Sequence, residues 1–149
     1  MTMKNNTILW ILGIVVVLAG FLSYQTRQQS SSFSTTTAGL PAAKSSETVE
    51  LKNGDTFNLT ASIVQKTIQG KPVKMLAYNG MVPGPLMKVS QNSQITVHFT
   101  NDTDVPTTLH SHGVRLDNAF DGVPDSTQKA IPVGGSFDYT LKFPDAGMF

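Results

Sequence analysis

The sequence predicts an all-β sandwich that follows an N-terminal apolar segment and a polar tether. Three observations lead there. Between residues 47 and 149 the chain runs in short stretches rich in Val, Ile, Thr, Phe and Tyr, broken by Asn-Gly, Gly-Lys-Pro, Pro-Gly-Pro and Gly-Gly, which is the punctuation of strands and turns. No stretch in that region repeats its apolar residues with a helical period. In Gln94-Ile95-Thr96-Val97-His98-Phe99-Thr100 apolar and polar residues alternate, so Ile95, Val97 and Phe99 face a core and His98 faces solvent. Strands are expected near 48–51, 56–67, 73–78, 86–89, 94–100, 107–116 and 136–143, as antiparallel partners in a two-layer sandwich.

The segments ahead of the sandwich read differently. From 8 to 22 every residue is apolar or glycine, and the first charges on either side are Lys4 and Arg27. As a helix this run is about 22 Å long against a hydrocarbon core of roughly 30 Å, a length between a signal peptide and an anchor. The residues after it, Ser23-Tyr24-Gln25, offer no small-x-small cleavage site. A retained signal anchor over 1–24 is therefore expected, with a cleaved signal peptide as the alternative. Either one places the rest of the chain outside the cytoplasm, in the periplasm or at the cell surface, membrane-anchored or secreted. From 25 to 46, thirteen of the twenty-two residues are Ser, Thr or Gln, which predicts a disordered linker. The domain proper is expected over 47–149.

Charge and cysteine content exclude several function classes. Eleven Lys+Arg against ten Asp+Glu leave a net charge of +1, with no cationic excess to neutralise a nucleic-acid backbone. The chain has no cysteine, so it carries no disulfide framework, iron–sulfur cluster, cysteine nucleophile or thiolate-ligated copper centre. Any metal must be held by His or carboxylate.

Histidine is scarce, with three residues in the chain, and two of them fall in His110-Ser111-His112-Gly113. On a strand, His110 and His112 would project from one face with Cα atoms about 6.6 Å apart, while Ser111 projects from the other. Two imidazoles would then converge on metal, a donor type that suits copper, zinc, iron and nickel. Ser111 would point away from both, which makes a Ser-His dyad geometrically unfavourable. The spacing by itself fits one shared metal and two neighbouring metals equally well, and an isolated H-x-H is also common on ordinary surfaces.

The surrounding motifs are more specific. Tyr78-Asn79-Gly80-Met81-Val82-Pro83-Gly84-Pro85, Ile95-Thr96-Val97-His98-Phe99-Thr100-Asn101, Leu109-His110-Ser111-His112-Gly113, Asp121-Gly122-Val123-Pro124 with Thr127-Gln128, Pro132-Val133-Gly134-Gly135-Ser136-Phe137 and Phe143-Pro144-Asp145-Ala146-Gly147 occur in that order. Together they resemble the first cupredoxin domain of multicopper oxidases over about 47–149. The resemblance implies a cupredoxin-like Greek-key sandwich in a laccase-like copper oxidoreductase. It implies that His110 ligates the type 2 copper and His112 a type 3 copper of a trinuclear cluster, which reduces O2 to water with electrons delivered singly from a type 1 copper. It also implies that Asp121 helps deliver protons to oxygen; the plain alternative is a loop Asp before Gly in a turn.

Two departures from the family pattern matter. The second H-x-H that completes this domain's type 3 ligands does not occur before Phe149, so the chain is expected to stop within the domain. The type 1 copper needs a cysteine, which three-domain members carry in their last domain. The remaining cupredoxin domains, an electron-donating substrate, O2 and the membrane are thus the implied partners, with no nucleic acid. The competing reading is a non-catalytic extracytoplasmic module holding a single copper or zinc. A copper nitrite reductase fits less well, because its first domain would bring the missing cysteine. His98 is read as a solvated or locally hydrogen-bonded histidine, Met75, Met81, Met87 and Met148 as gap-filling methionines, and Asp102, Asp104, Arg115 and Asp117 as solvated loop charges.

Overall fold

The computed structural model describes Val15 and residues 35–149, the latter within one unit, Thr35–Phe149. Apart from Val15, the segment read as an anchor lies outside the described residues, as does the linker before residue 35. Among the described residues no helix is long and apolar enough to cross a membrane.

Among the described residues six strands form: β1 (Thr48–Leu51), β2 (Thr56–Ile68), β3 (Lys71–Tyr78), β4 (Leu86–Val89), β5 (Gln94–Asp102) and β6 (Ser136–Lys142). They make two sheets, a larger one in the order β3-β2-β5-β6 and a smaller one pairing β1 with β4. β2 and β3 form a hairpin in which Ile68 opposes Lys71. Its turn residues Gln69 and Gly70 have φ of 50° and 77°, the two positive values that a type I′ turn requires. β5 and β6 are also antiparallel.

The other two pairings correct the expectation of a wholly antiparallel sandwich. β1 and β4 run parallel, and so do β2 and β5. After β3 the chain passes through β4 in the smaller sheet before returning beside β2, and such a crossover delivers the next strand in the same direction.

Alternation along the strands builds the core. Ile95, Val97 and Phe99 are at most 1% exposed, and they cluster with Leu59, Ala61, Tyr139 and Leu141 of the larger sheet. Leu51 of β1 and Met87 and Val89 of β4 pack on the same cluster, which closes the second layer. On the opposite face the register sets Asn58, His98 and Asp138 abreast. His98 is half-exposed, and its Nδ1 meets the Asp138 carboxylate.

Asn101 ends the buried run of β5 at 0% exposure. Its Nδ2 donates to the carbonyls of Val105 at 2.9 Å and Ile131 at 3.0 Å, and its Oδ1 accepts from the Thr103 hydroxyl at 2.7 Å and the Thr103 N–H at 3.1 Å. A buried amide is tolerated when its hydrogen-bonding capacity is met in this way.

Two further expectations are corrected. The linker predicted over 25–46 is tied down in its last residues. Gln65 N–H donates to Pro41 O, Ala43 N–H to Gln65 O and Lys44 N–H to Gly80 O, each at 2.8 Å, and the Ser46 hydroxyl donates to Gly84 O at 2.6 Å. β5 covers β2 only as far as Ser62, which leaves the open edge near Gln65 to be satisfied by this segment. The strand predicted over 107–116 does not form either. Thr107 makes a single bridge with Ile131, and the chain then turns at 111–114, where Ser111 O accepts from Val114 N–H at 3.3 Å and Gly113 has φ of 82°. A 3₁₀ turn follows at Asn118–Phe120.

Candidate metal centre

His110 and His112 lie on an irregular segment, so side-chain bonds, not a strand ladder, place them. The Thr108 hydroxyl donates to Gly122 O at 2.6 Å. The Leu109 N–H donates to the Tyr139 hydroxyl at 3.0 Å. The His110 ring meets Asp121 O through Nδ1 at 2.6 Å. These bonds pin three consecutive residues to the 121–122 segment and to β6.

The two imidazoles still stand side by side, although for a different reason than strand alternation. Their ring centroids are 5.7 Å apart and their planes meet at 68°. Both residues are exposed. A carbonyl oxygen can only accept, so Nδ1 of His110 carries a proton, and in the neutral ring Nε2 then keeps its lone pair. A metal-ligating histidine needs that arrangement, with one nitrogen committed to an outer acceptor and the other free to bind. The donor set therefore fits copper. Among the described residues no third His, Cys, Asp or Glu lies close enough to complete a metal-holding group.

Asp121 caps the C-terminal end of the 3₁₀ turn, whose start is capped by the Asp117 carboxylate accepting from Ala119 N–H at 3.1 Å. Asp121 meets His110 twice: through its carbonyl, and through Oδ1 at 3.7 Å from His110 Nδ1. Its neighbour Gly122 has φ of 74°, and a Cβ there would fall 1.8 Å from Leu109 O. Only glycine lets the 121–122 segment come this close to the histidine segment.

The structure brings together all three residues singled out for the site, His110, His112 and Asp121. His98 lies elsewhere, paired to Asp138 on the outer face of the larger sheet. Met81 is buried and Met87 packs on the core, while Met148 is 91% exposed and fills no gap. Arg115 forks onto the Asp145 carboxylate with both contacts at 3.1 Å, and Asp104 accepts from Lys74 Nζ at 2.7 Å. Thr108 and Tyr139 were not anticipated. The nearest sequence signal was the alternation in β6 that turns Tyr139 inward.

The family model described as multicopper oxidase matches residues 60–149. The chain belongs to the multicopper oxidase family. It is 35% identical over 94 residues to Multicopper oxidase MmcO of Mycobacterium tuberculosis, covering 63% of this chain and 18% of that protein. It is 31% identical over 108 residues to Copper resistance protein A of Pseudomonas syringae pv. tomato, covering 72% of this chain and 18% of that protein. Among solved structures it superimposes on the blue copper oxidase of Nitrosomonas europaea with a TM-score of 0.61 at 37% identity, over 65% of this chain and 31% of that one. The chain thus spans 18% of the length of those two curated relatives, and the β architecture of residues 35–149 is that of a cupredoxin domain.

Proposed function

We propose that this chain supplies one wall of the oxygen-reducing copper cluster of a laccase-like oxidase working outside the cytoplasm. The observation that carries the proposal is the pair of adjacent imidazoles, one with its Nδ1 proton committed to Asp121 O. His110 is assigned to the type 2 copper and His112 to a type 3 copper. The bound cluster supplies the redox chemistry, in which four electrons and four protons convert O2 to two waters. His110 and His112 hold their positions through that cycle, because imidazole serves both copper oxidation states. The Asp121 carboxylate, with Oδ1 3.7 Å from His110 Nδ1, is assigned to relay protons from the edge of the site toward oxygen.

Further cupredoxin domains of a longer polypeptide provide the remaining ligands and the type 1 copper, whose cysteine this chain lacks. An electron-donating substrate reacts there. The apolar run over 8–22 supports export and membrane attachment. The absence, among the described residues, of a third ligand beside the pair speaks against a self-sufficient one-metal module.

The test is copper content and electron paramagnetic resonance of the full-length polypeptide carrying His110→Ala, His112→Ala or both. The expected result is loss of the type 2 signal in H110A, loss of type 3 character in H112A, and loss of O2 consumption in each. A full copper complement in the double variant overturns the assignment.

A further inference from the structure

The segment that carries both histidines has no ladder bonds, so something rigid must fix its backbone. Residues 108–116 belong to no strand, and rotation about their φ and ψ would carry the His110 ring with it. The ring itself is held by Asp121 O. On the backbone side the nearest fixed bond is that of the preceding residue, the Leu109 N–H to the Tyr139 hydroxyl at 3.0 Å.

Tyr139 is suited to be the fixed end. It is 0% exposed at the middle of β6, opposite Val97 in the sheet register. Its ring is wedged between Phe99, 6.2 Å away in an edge-on contact at 83°, and Phe137, 4.7 Å away and tilted by 60°. A core position of this kind is filled at least as well by Phe, since a buried hydroxyl costs free energy unless it is hydrogen-bonded. Burial also pushes the phenol's pKa above its ordinary value, so the hydroxyl keeps its proton. Leu109 in turn is only 9% exposed, and without the phenol its N–H would be a buried donor with no acceptor.

We propose that Tyr139 is a positioning residue for the metal ligand His110: its buried hydroxyl fixes the Leu109 amide, and with the Asp121 carbonyl on the ring it holds the imidazole from two sides. This rests on the assignment of His110 as a copper ligand. Deleting the hydroxyl leaves the Leu109 N–H to seek water, and the segment moves outward with its histidine. The ring, the aromatic contacts and the fold remain.

The variant is Tyr139→Phe in the full-length polypeptide. The comparator is Val64→Ala, a cavity made on β2 at a residue 1% exposed, in a strand that carries no part of the histidine segment. Both lower thermal stability. On metal-free protein, Y139F is expected to speed amide exchange at Leu109 and His110 at least about 10-fold and to mix the two His110 tautomers in 15N spectra, whereas V64A leaves both as in wild type. On copper-loaded protein, Y139F is expected to weaken type 2 copper binding by about 10-fold, the lower end of the range for outer-sphere partners, and to change the type 2 hyperfine splitting. The type 1 absorption stays unchanged. Should Y139F fold poorly, 3,5-difluorotyrosine at position 139 keeps the ring, weakens the acceptor and moves the same readouts less far.

Y139F matching V64A, with lower stability but wild-type exchange, tautomer and copper affinity, overturns the proposal. Faster local exchange with unchanged copper affinity overturns it as well. If the wild-type polypeptide binds no copper, the proposed function falls, and the exchange and tautomer measurements on metal-free protein still decide whether Tyr139 positions His110.

Discussion

Gly122 approaches Leu109 so closely that a methyl group on its Cα would fall 1.8 Å from the Leu109 carbonyl oxygen. The contact is backbone to backbone, so no rotamer change relieves it. Gly122→Ala must push the 121–122 segment away from 108–110, and the bonds from Thr108 and His110 into that segment go with it. A non-glycine residue at positive φ costs about 1–2 kcal/mol, and the collision adds to it. The expected loss in urea denaturation is above about 2 kcal/mol, accompanied by loss of type 2 copper. Gly39→Ala, also at positive φ but with nothing within 4 Å of the added carbon, should show the conformational cost alone.

Asp121 meets His110 through two different groups, which makes two roles separable. Asp121→Asn keeps the backbone carbonyl that orients the imidazole, so copper content and the type 2 signal should be retained. The proposed proton relay is lost. O2 consumption by the full-length oxidase should fall by about 100-fold or more, the usual scale of a general acid. Turnover equal to wild type would leave Asp121 with an orienting role only.

Asn101 joins β5 to two segments that lead to the site. Its side chain serves Val105 O, Ile131 O and two groups of Thr103 with no exposure to water. After Asn101→Ala, Val105 O keeps the Thr103 hydroxyl at 2.9 Å and Ile131 O keeps the Thr107 N–H at 3.1 Å, so the Thr103 N–H is the group left without its acceptor, at about 1–3 kcal/mol if water cannot reach it. A loss of about 1–3 kcal/mol in chemical denaturation is expected. A change below about 1 kcal/mol would mean that water enters and takes over the bonds.

The ion pair between Asp104 and Lys74 gives stability a defined pH dependence. The hydrogen bond from Lys74 holds the Asp104 carboxyl below its ordinary 3.8. A group whose folded value is depressed stabilises fully above its unfolded value and loses that contribution as pH falls through the folded one. Asp104→Asn should therefore lower the melting temperature at neutral pH, and the difference from wild type should shrink as pH is taken below 3.8. A difference that persists in acid would assign the effect to packing.

Six of the seven expected strand positions coincide with observed strands to within two residues at each end, because alternation and turn residues are local signals. β1 and β4 agree at both ends. What the pattern could not carry was direction. Nothing in the composition of β2 or β5 distinguishes a parallel from an antiparallel neighbour, since that depends on where the chain travels between them. The failure at 107–116 has a related cause. Thr107, Leu109 and the two histidines alternate as a strand would, yet Thr108 and His110 spend their side-chain bonds on the 121–122 backbone and leave no ladder. The end of the linker departs from the expectation because Pro41, Ala43 and Lys44 pair through their backbones, to which side-chain polarity is no guide. For the site, His110, His112 and Asp121 were legible as motif positions. The hydroxyl of Tyr139 was not, because a tyrosine facing a core looks in sequence like any other large apolar residue.

The parallel register of β2 and β5 also bears on how the molecule assembles. The β2–β3 hairpin closes over two residues, an event of about 1–10 μs. Thr56 and Thr96, by contrast, are forty positions apart when they pair, and the chain entropy of that closure is lost before any contact offsets it. Newly made molecules therefore pass through an interval in which a hairpin exists and Leu59, Val97 and Phe99 lack their shelter. The concentration at which such molecules meet one another during that interval sets the yield of soluble product, and slower, more dilute refolding should raise it.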